Sequence, residues 1–208
     1  MPEITKTQAL DIGRTAIHQE VLTLQKLEYE LGEPFWQCAQ QLIECPGLVW
    51  ITGVGTSAAV GMRFAHILTD CGVRSMFLSP SDGLHGHTNI MRPGDVLVAM
   101  SRGGESQEVI QMVSIATQLG VKTIAFVHNI ESSLARSAQY LLPVQSPQEY
   151  ELMGYMATTS TVAFSAVCDA LCAVLAQAKG FTPEQLARVH PGGAVGQVLA
   201  SSKNKRKE

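Results

Sequence analysis

Charged residues are scarce in this chain, and so are aromatic ones. Only 16% of its 208 residues are Asp, Glu, Lys or Arg, and 6% are Phe, Trp or Tyr, whereas 46% are hydrophobic. A chain with this apolar content can bury a core, which excludes general disorder. The length and composition are ordinary for one compact α/β domain.

Positive charge is not in excess either, because the formal net charge is −3. We therefore expect no nucleic-acid partner. The only basic cluster is Lys203-Asn-Lys-Arg-Lys207, and residues 201–208 are predicted to form a disordered, solvated tail.

Cysteine pairs of the CxxC type are missing among the five cysteines, and the cysteine spacing does not suit a metal site. Cys168 and Cys172 lie four residues apart in an apolar segment, which indicates buried thiols on a helix. No secretory signal opens the chain, and no run of about 18 apolar residues could cross a membrane. We therefore expect no metal, no membrane partner and a reducing, cytoplasmic location.

Residues 1–44 predict an N-terminal helical arm. Apolar residues recur there at helical spacing, and Gly32-Glu-Pro34 divides the pattern into a long helix and a second helix over 35–42. A helix-turn-helix reader of DNA is less favoured, because acidic residues outnumber basic ones in this arm.

From Leu48 onward, short apolar runs alternate with helical segments. This alternation predicts a doubly wound, parallel α/β sheet covered on both faces. The predicted strands are 48–52, 75–78, 95–100, 123–127 and 140–144, and the main helices are 57–69, 105–119 and 156–178. Ligands of such sheets bind beyond the carboxyl ends of the strands.

Two glycine-containing turns fall at these strand ends. Ser101-Arg-Gly-Gly-Glu-Ser106 follows the third strand, and Gly53-Val-Gly-Thr-Ser57 follows the first. Each leads into a helix, whose free N–H groups and dipole attract anions, so the pair predicts a phosphorylated small molecule. NAD is disfavoured, because Ala58 replaces the third glycine of a dinucleotide turn. A capped turn without a ligand stays open for the segment at Gly53.

Glu105 has two possible roles. It is either a solvated carboxylate at a helix start, or it faces the reacting carbons while backbone amides, Ser101 and Ser106 hold the phosphate. The second role is favoured, since it explains both charge types in one turn.

Three further segments carry groups suited to proton transfer or anion binding. His85-Gly-His87 favours proton transfer or loop positioning over a metal. Glu149 precedes the hydroxyl run Thr158-Thr-Ser-Thr161, which can cap a helix or bond phosphate oxygens. His190 opens a late glycine-rich turn that by itself could be a helix stop.

Four of these segments together resemble the sugar isomerase (SIS) domain, and within it the arabinose-5-phosphate isomerases. They are Gly53-x-Gly-x-Ser57, Ser101-x-x-Gly-Glu-Ser106, Thr158-Thr-Ser-Thr161 and His190-Pro-Gly-Gly-Ala-x-Gly196. The resemblance covers about residues 40 to 200, and we predict the domain over 45–200. It implies a flavodoxin-like five-stranded parallel sheet flanked by helices, and a homotetramer with active sites at subunit interfaces.

The resemblance implies aldose–ketose isomerisation of a phosphosugar, here D-arabinose 5-phosphate and D-ribulose 5-phosphate. The reaction passes through an enediol and needs no cofactor. The implied catalytic residues are Glu105, Glu149, His190 and His85, with Glu149 and His190 as the acid/base pair. The implied substrate contacts are Gly55, Thr56, Ser57, Ser101, Arg102, Gly104, Ser106, Thr158, Thr159, Ser160 and Thr161.

The motifs depart from the arabinose-5-phosphate isomerase pattern in two places. Thr56 stands where that branch carries a lysine, and Gly-Thr-Ser is instead similar to the SIS domains of glucosamine-6-phosphate synthases. At the second turn a hydroxyl is lost at Gly103 and a guanidinium is gained at Arg102, which can contact phosphate bidentately. Many relatives continue into a pair of CBS domains about where this sequence ends.

Two other functions stay open. One is isomerisation of a different phosphosugar, such as a hexulose 6-phosphate, and the other is sensing of a sugar phosphate without turnover. Thr56 is compatible with both. The residues Glu105, Glu149 and His190 favour an enzyme, because a pure binding site beside phosphate gains little from two carboxylates.

Overall fold

A five-stranded parallel sheet forms the centre of the molecule. The computed structural model describes residues 4–194 and 196–198. Its strands are β1 (Val49–Gly53), β2 (Ser75–Phe77), β3 (Val96–Met100), β4 (Lys122–Val127) and β5 (Tyr140–Pro143). They lie in the order β2-β1-β3-β4-β5, and every neighbouring pair is parallel. This is the flavodoxin-like order, so the predicted fold is confirmed.

Helices connect and flank these strands. The α-helices are α1 (Lys6–Glu30), α2 (Glu33–Ile43), α3 (Gly55–Asp70), α4 (Pro80–Leu84), α5 (Gln107–Gln118), α6 (Ser133–Ser137), α7 (Thr159–Ala178) and α8 (Pro183–Val189). Short 3-10 turns cover His87–Ile90 and Gln148–Tyr150. The longer predicted elements agree with these bounds to within three residues. The short helices α4, α6 and α8 were not predicted.

Both faces of the sheet are buried at its central strands β1, β3 and β4, and successive strand residues alternate between the faces. Val49 and Ile51 pack in one apolar cluster with side chains of α2, α3 and α7. Trp50, between them, packs in the other cluster with side chains of α5 and α6. Fully buried parallel strands explain why the sequence shows continuous apolar runs there.

Helix α7 is the most apolar helix of the structure's described part. By length and composition it could cross a membrane, which the sequence expectation overlooked. In the fold, α7 packs against α1, α2 and α3. Buried residues such as Phe164 and Leu171 face the core, and this burial accounts for the apolar composition.

The N-terminal arm is built from α1 and α2. Helix α1 begins in a capping box between Thr5 and Gln8 and packs against α7, with only Thr23 and Leu27 buried. Apolar residues such as Ile12 and Ile17 remain exposed along it. The basic tail predicted over 201–208 lies outside the described residues, and the domain limits at 44 and 200 stay predictions.

Candidate active site

Among the clefts formed by the described residues, three lie around the loops that follow the strands. The hydroxyl cleft is small, with a cavity volume of about 20 Å³, and is lined by Thr56, Ser57, Val60, Arg102, Ala157, Ser160, Thr161 and Phe164. The histidine cleft, next to the ends of β1 and β2, includes Gly55, His85 and Glu108. The arm cleft lies between α1 and residues 149–153. The hydroxyl cleft brings together residues from the starts of α3 and α7 and from the loop after β3.

One wall of the hydroxyl cleft is the start of α3. The preceding turn is tight, since Gly55 has a φ of +58° and a Cβ at Gly53 would lie 3.1 Å from the carbonyl oxygen of Met100. No side chain caps α3. The alternative in which Thr56 or Ser57 caps this helix therefore does not occur in the structure. The helix start therefore presents free N–H groups and the hydroxyls of Thr56 and Ser57 to the cleft.

The turn after β3 is held by its own hydroxyls. The Oγ of buried Ser101 lies 3.2 Å from the Oγ of Ser106 and accepts a 3.1 Å hydrogen bond from the amide of Gly104. Gly104 has a φ of +71°. Ser101, Gly104 and Ser106 do not line the hydroxyl cleft, so their contribution to a phosphate site remains a prediction.

Glu105 lies at the surface and caps α6. Its Oε1 accepts a 2.9 Å hydrogen bond from the amide of Ser133. That amide, together with the Ser133 hydroxyl and the charge of Arg136, lowers the pKa of Glu105. The structure thus gives Glu105 a structural partner and shows no contact between it and the hydroxyl cleft.

Three of the four hydroxyls at the start of α7 have backbone partners. Thr158 Oγ1 accepts from the amide of Leu152 at 3.1 Å. Thr159 Oγ1 donates to the carbonyl of Tyr150 at 2.9 Å, and Thr161 Oγ1 donates to the carbonyl of Thr158 at 2.6 Å. Ser160 Oγ is different, because it is buried and its polar neighbour is the carboxylate of Glu151, whose pKa it helps to lower, although the two groups make no hydrogen bond of good geometry. The hydroxyl lies on the wall of the hydroxyl cleft, where a ligand can contact it.

The carboxylate that caps α7 belongs to Glu151, a residue that the sequence analysis missed. It accepts hydrogen bonds from the amides of Thr158 at 2.6 Å and Ser160 at 3.0 Å, and it forms an ion pair with Arg102 at 3.2 Å. Burial raises the pKa of Glu151, but hydrogen bonds from Ser160 and Thr158 and the charge of Arg102 outweigh it, so the pKa is lowered. Glu151 is therefore ionised at neutral pH.

His128, at the end of β4, is a second residue that the sequence analysis missed. Its amide donates to the carbonyl of Arg102 at 2.9 Å, and its Nδ1 accepts from the amide of Ser146 at 3.2 Å. Burial and the charges of Arg102 and Lys26 lower its pKa, and Glu151 raises it only in part. The imidazole is held neutral beside Arg102.

A His128→Asn variant should flatten the pH dependence of stability. Because the pKa of His128 is lower in the folded protein, the unfolded chain binds more protons from about pH 6.5 downward, and stability falls as pH drops through that window. The asparagine oxygen can replace Nδ1 as acceptor but takes up no proton. Denaturant unfolding between pH 5 and pH 7.5 measures the slope, and His18→Asn controls for the loss of one histidine. Identical slopes for wild type and His128→Asn would contradict this assignment.

The predicted acid and base groups are not assembled in one cleft. Glu149 is exposed in the arm cleft, and His85 is exposed in the histidine cleft. His190 follows α8, where its amide donates to the carbonyl of Leu186 at 2.9 Å, and it lines none of the three clefts. The hydroxyl cleft does combine Thr56, Ser57, Arg102, Ser160 and Thr161.

No metal-binding cluster occurs among residues 4–194 and 196–198. The described residues contain no group of three or more His, Cys, Asp or Glu side chains suited to a metal ion. His85 and His87 therefore have no third ligand there. The five cysteines are free thiols, and burial raises the pKa of the buried pair Cys168 and Cys172, the latter to about 12.

Comparison with known proteins identifies the family of this site. The SIS domain family model matches residues 42–174, which include β1 to β5, the hydroxyl cleft and most of α7. The chain belongs to the SIS domain family. The sequence resemblance is thereby confirmed.

Curated relatives include the arabinose 5-phosphate isomerase KdsD of Salmonella typhi. It is 34% identical over 90% of this chain, and the matched part spans 57% of the KdsD chain. This protein thus spans little more than half the length of the curated relatives it matches.

Solved structures with the same fold cover nearly the whole chain. A Listeria monocytogenes protein assigned as a sugar-phosphate isomerase has a TM-score of 0.87 and 27% identity, over 91% of this chain and all of that one. An Escherichia coli CFT073 protein, solved in complex with arabinose 5-phosphate, has a TM-score of 0.86 and 23% identity, over 90% of this chain and all of that one. Because the Escherichia coli protein is only 23% identical, its similarity to this chain shows a shared fold and nothing more.

Proposed function

We propose that this protein is a phosphosugar aldose–ketose isomerase that interconverts D-arabinose 5-phosphate and D-ribulose 5-phosphate. The observation that carries the proposal is a cleft that combines the buried hydroxyl of Ser160 with Arg102 and the open start of α3. Hydroxyls, a guanidinium and free amides together suit a phosphate. The similarity to arabinose 5-phosphate isomerases supports the choice of sugar.

The phosphate would be bound by Ser160, Thr56, Ser57 and Arg102. Holding it fixes the sugar chain, so that binding energy from the phosphate lowers the barrier of a proton transfer some atoms away. In that step a base removes the proton beside the carbonyl, an enediol forms, and the proton returns at the adjacent carbon. No cofactor takes part in this scheme.

Glu149 and His190 are the proposed acid/base pair, with Glu105 and His85 assisting. These groups lie apart in one chain, so we propose that a second copy completes the site within a homotetramer. Two features of the described residues support this. Exposed apolar side chains such as Leu152, Met153 and Tyr155 lie beside Glu149, and α1 leaves apolar residues uncovered. A cytoplasmic location fits this metabolic role.

Isotope exchange tests the proposed reaction. Incubated in deuterated water with D-arabinose 5-phosphate, the protein should incorporate deuterium at the carbon beside the carbonyl, because the enediol exchanges its proton with solvent. Proton NMR follows the loss of that signal and the appearance of ribulose 5-phosphate. Unphosphorylated D-arabinose is the matched control and should not exchange.

A panel of hexose 6-phosphates and other pentose 5-phosphates separates the remaining functions. Faster exchange with a hexulose 6-phosphate than with D-arabinose 5-phosphate would contradict the pentose assignment but would still support an isomerase. Measurable binding of a sugar phosphate with no exchange for any sugar would contradict the enzyme and favour a sensor.

A further inference from the structure

Among the described residues, Glu151 is the one buried carboxylate that contacts a residue lining the hydroxyl cleft, and the proposed reaction gives it no role. Its side chain is 1% exposed, whereas Glu149, two residues earlier, is exposed. It does not line the hydroxyl cleft itself. Glu151 can therefore affect the cleft only through its contacts with the residues that line it.

The first consequence of Glu151 concerns the start of α7. Its two oxygens accept from the amides of Thr158 and Ser160, which are the donors that a helix N-terminus offers to an anion. A phosphate in the hydroxyl cleft cannot use these two amides while Glu151 holds them. From α7 it is left with the hydroxyls that line the cleft, those of Ser160 and Thr161.

The second consequence concerns Arg102, the only Lys or Arg among the residues that line this cleft. Its Nε lies 3.2 Å from Glu151 Oε1 and 3.4 Å from Ser146 Oγ, and its Nη2 donates to the carbonyl of Ser146 at 3.3 Å. Nη1 makes no hydrogen bond to the described residues. Three contacts thus fix one edge of the guanidinium and leave donors for a ligand.

We propose that Glu151 is a positioning residue, which orients the guanidinium of Arg102 toward the phosphate of the substrate and acts through Arg102. The inference rests on the proposed function, since it assumes a phosphate in the hydroxyl cleft. In this proposal the cationic contact to phosphate comes from Arg102, a loop residue whose guanidinium is fixed by the buried carboxylate of Glu151. Without that carboxylate, Arg102 is free to adopt other rotamers and loses affinity for phosphate.

A double-mutant cycle tests this role. Arg102→Gln should weaken binding of inorganic phosphate about 10- to 100-fold, because a charge-assisted contact is lost. Glu151→Gln should weaken it by a similar factor in a wild-type background but by less than about 2-fold in an Arg102→Gln background. Calorimetric titration with inorganic phosphate gives the four Kd values. With substrate, both single variants should raise KM far more than they lower kcat.

Two further variants keep the cycle interpretable. Ser146→Ala removes one contact to Arg102 without uncapping α7, and should weaken phosphate binding only when Arg102 is present, even if Glu151→Gln folds poorly. Arg63→Gln breaks a more exposed ion pair, between Arg63 and Asp169 at 2.7 Å, whose residues do not line the cleft. It should change the Kd for phosphate by less than about 2-fold.

The outcomes separate this inference from the proposed function. If the double variant raised the Kd for phosphate by the product of the two single-variant factors, Glu151 would act independently of Arg102 and only cap α7. That result would overturn the inference. Failure of the wild type to bind inorganic phosphate would overturn both. Coupled binding without sugar exchange would support the inference and overturn the isomerase alone.

Discussion

A Gly104→Ala variant should lower the free energy of unfolding by about 2 to 5 kcal/mol. Two costs combine at this position. The φ of +71° is unfavourable for any residue with a Cβ, and that Cβ would lie 2.0 Å from Ser132 Oγ and 2.4 Å from Ser132 Cβ. Ser132 is fully buried and its Oγ caps α6, so it cannot move aside without disturbing that helix. Equilibrium denaturation in urea measures the loss.

Gly103→Ala is the matched control for this experiment. A Cβ at Gly103 meets no atom within 4 Å, and its φ is not positive. Alanine there should be neutral or slightly stabilising, because it restricts the unfolded chain. Equal unfolding midpoints for the two variants would contradict the account of Gly104.

Most of the fold can be predicted from the sequence, because buried parallel strands are continuous apolar runs between longer helical segments. The runs at Leu48 and Asp95 gave β1 and β3 to within one residue. Short helices escape such an analysis, since α6 spans only Ser133–Ser137, which is too short to show apolar residues repeating over two turns. Its start is fixed instead by caps from Ser132 and from Glu105, which lies 28 residues earlier.

The candidate site was only partly predictable. Glycines and hydroxyls mark Ser57 and Ser160, because turns and helix starts need particular residue types. Glu151 and His128 carry no such mark, since burial and contacts across the chain define their roles. One sequence signal for Glu151 was available: the start of α7 is rich in hydroxyls, and a nearby acid, seven residues before Thr158, could serve as its cap.

A His190→Ala variant should lower kcat/KM by about 100- to 10,000-fold, the usual contribution of an acid/base group. The fold should tolerate the change. The amide of His190, which any residue supplies, makes the hydrogen bond to Leu186 that ends α8, and the imidazole is only partly buried. Steady-state isomerisation and thermal unfolding are the two measurements, with His66→Ala, on the exposed side of α3, as the control.

Full activity of His190→Ala would contradict its catalytic role, and a large loss of stability would make that role structural. A loss of activity alone leaves open which copy of the chain supplies the imidazole. The structure motivates that question, because Glu149 lies in the arm cleft while His190 lines none of the three clefts.

Mixing two inactive variants shows whether Glu149 and His190 of one site come from the same subunit. If one site combines Glu149 of one subunit with His190 of another, Glu149→Gln and His190→Ala subunits unfolded and refolded together should regain up to about a quarter of wild-type activity, by random pairing in a symmetric oligomer. Each variant refolded alone should stay inactive. Mixed oligomers that form and remain inactive would assign both groups to one chain. In that case His190 would have to approach Glu149 when substrate binds.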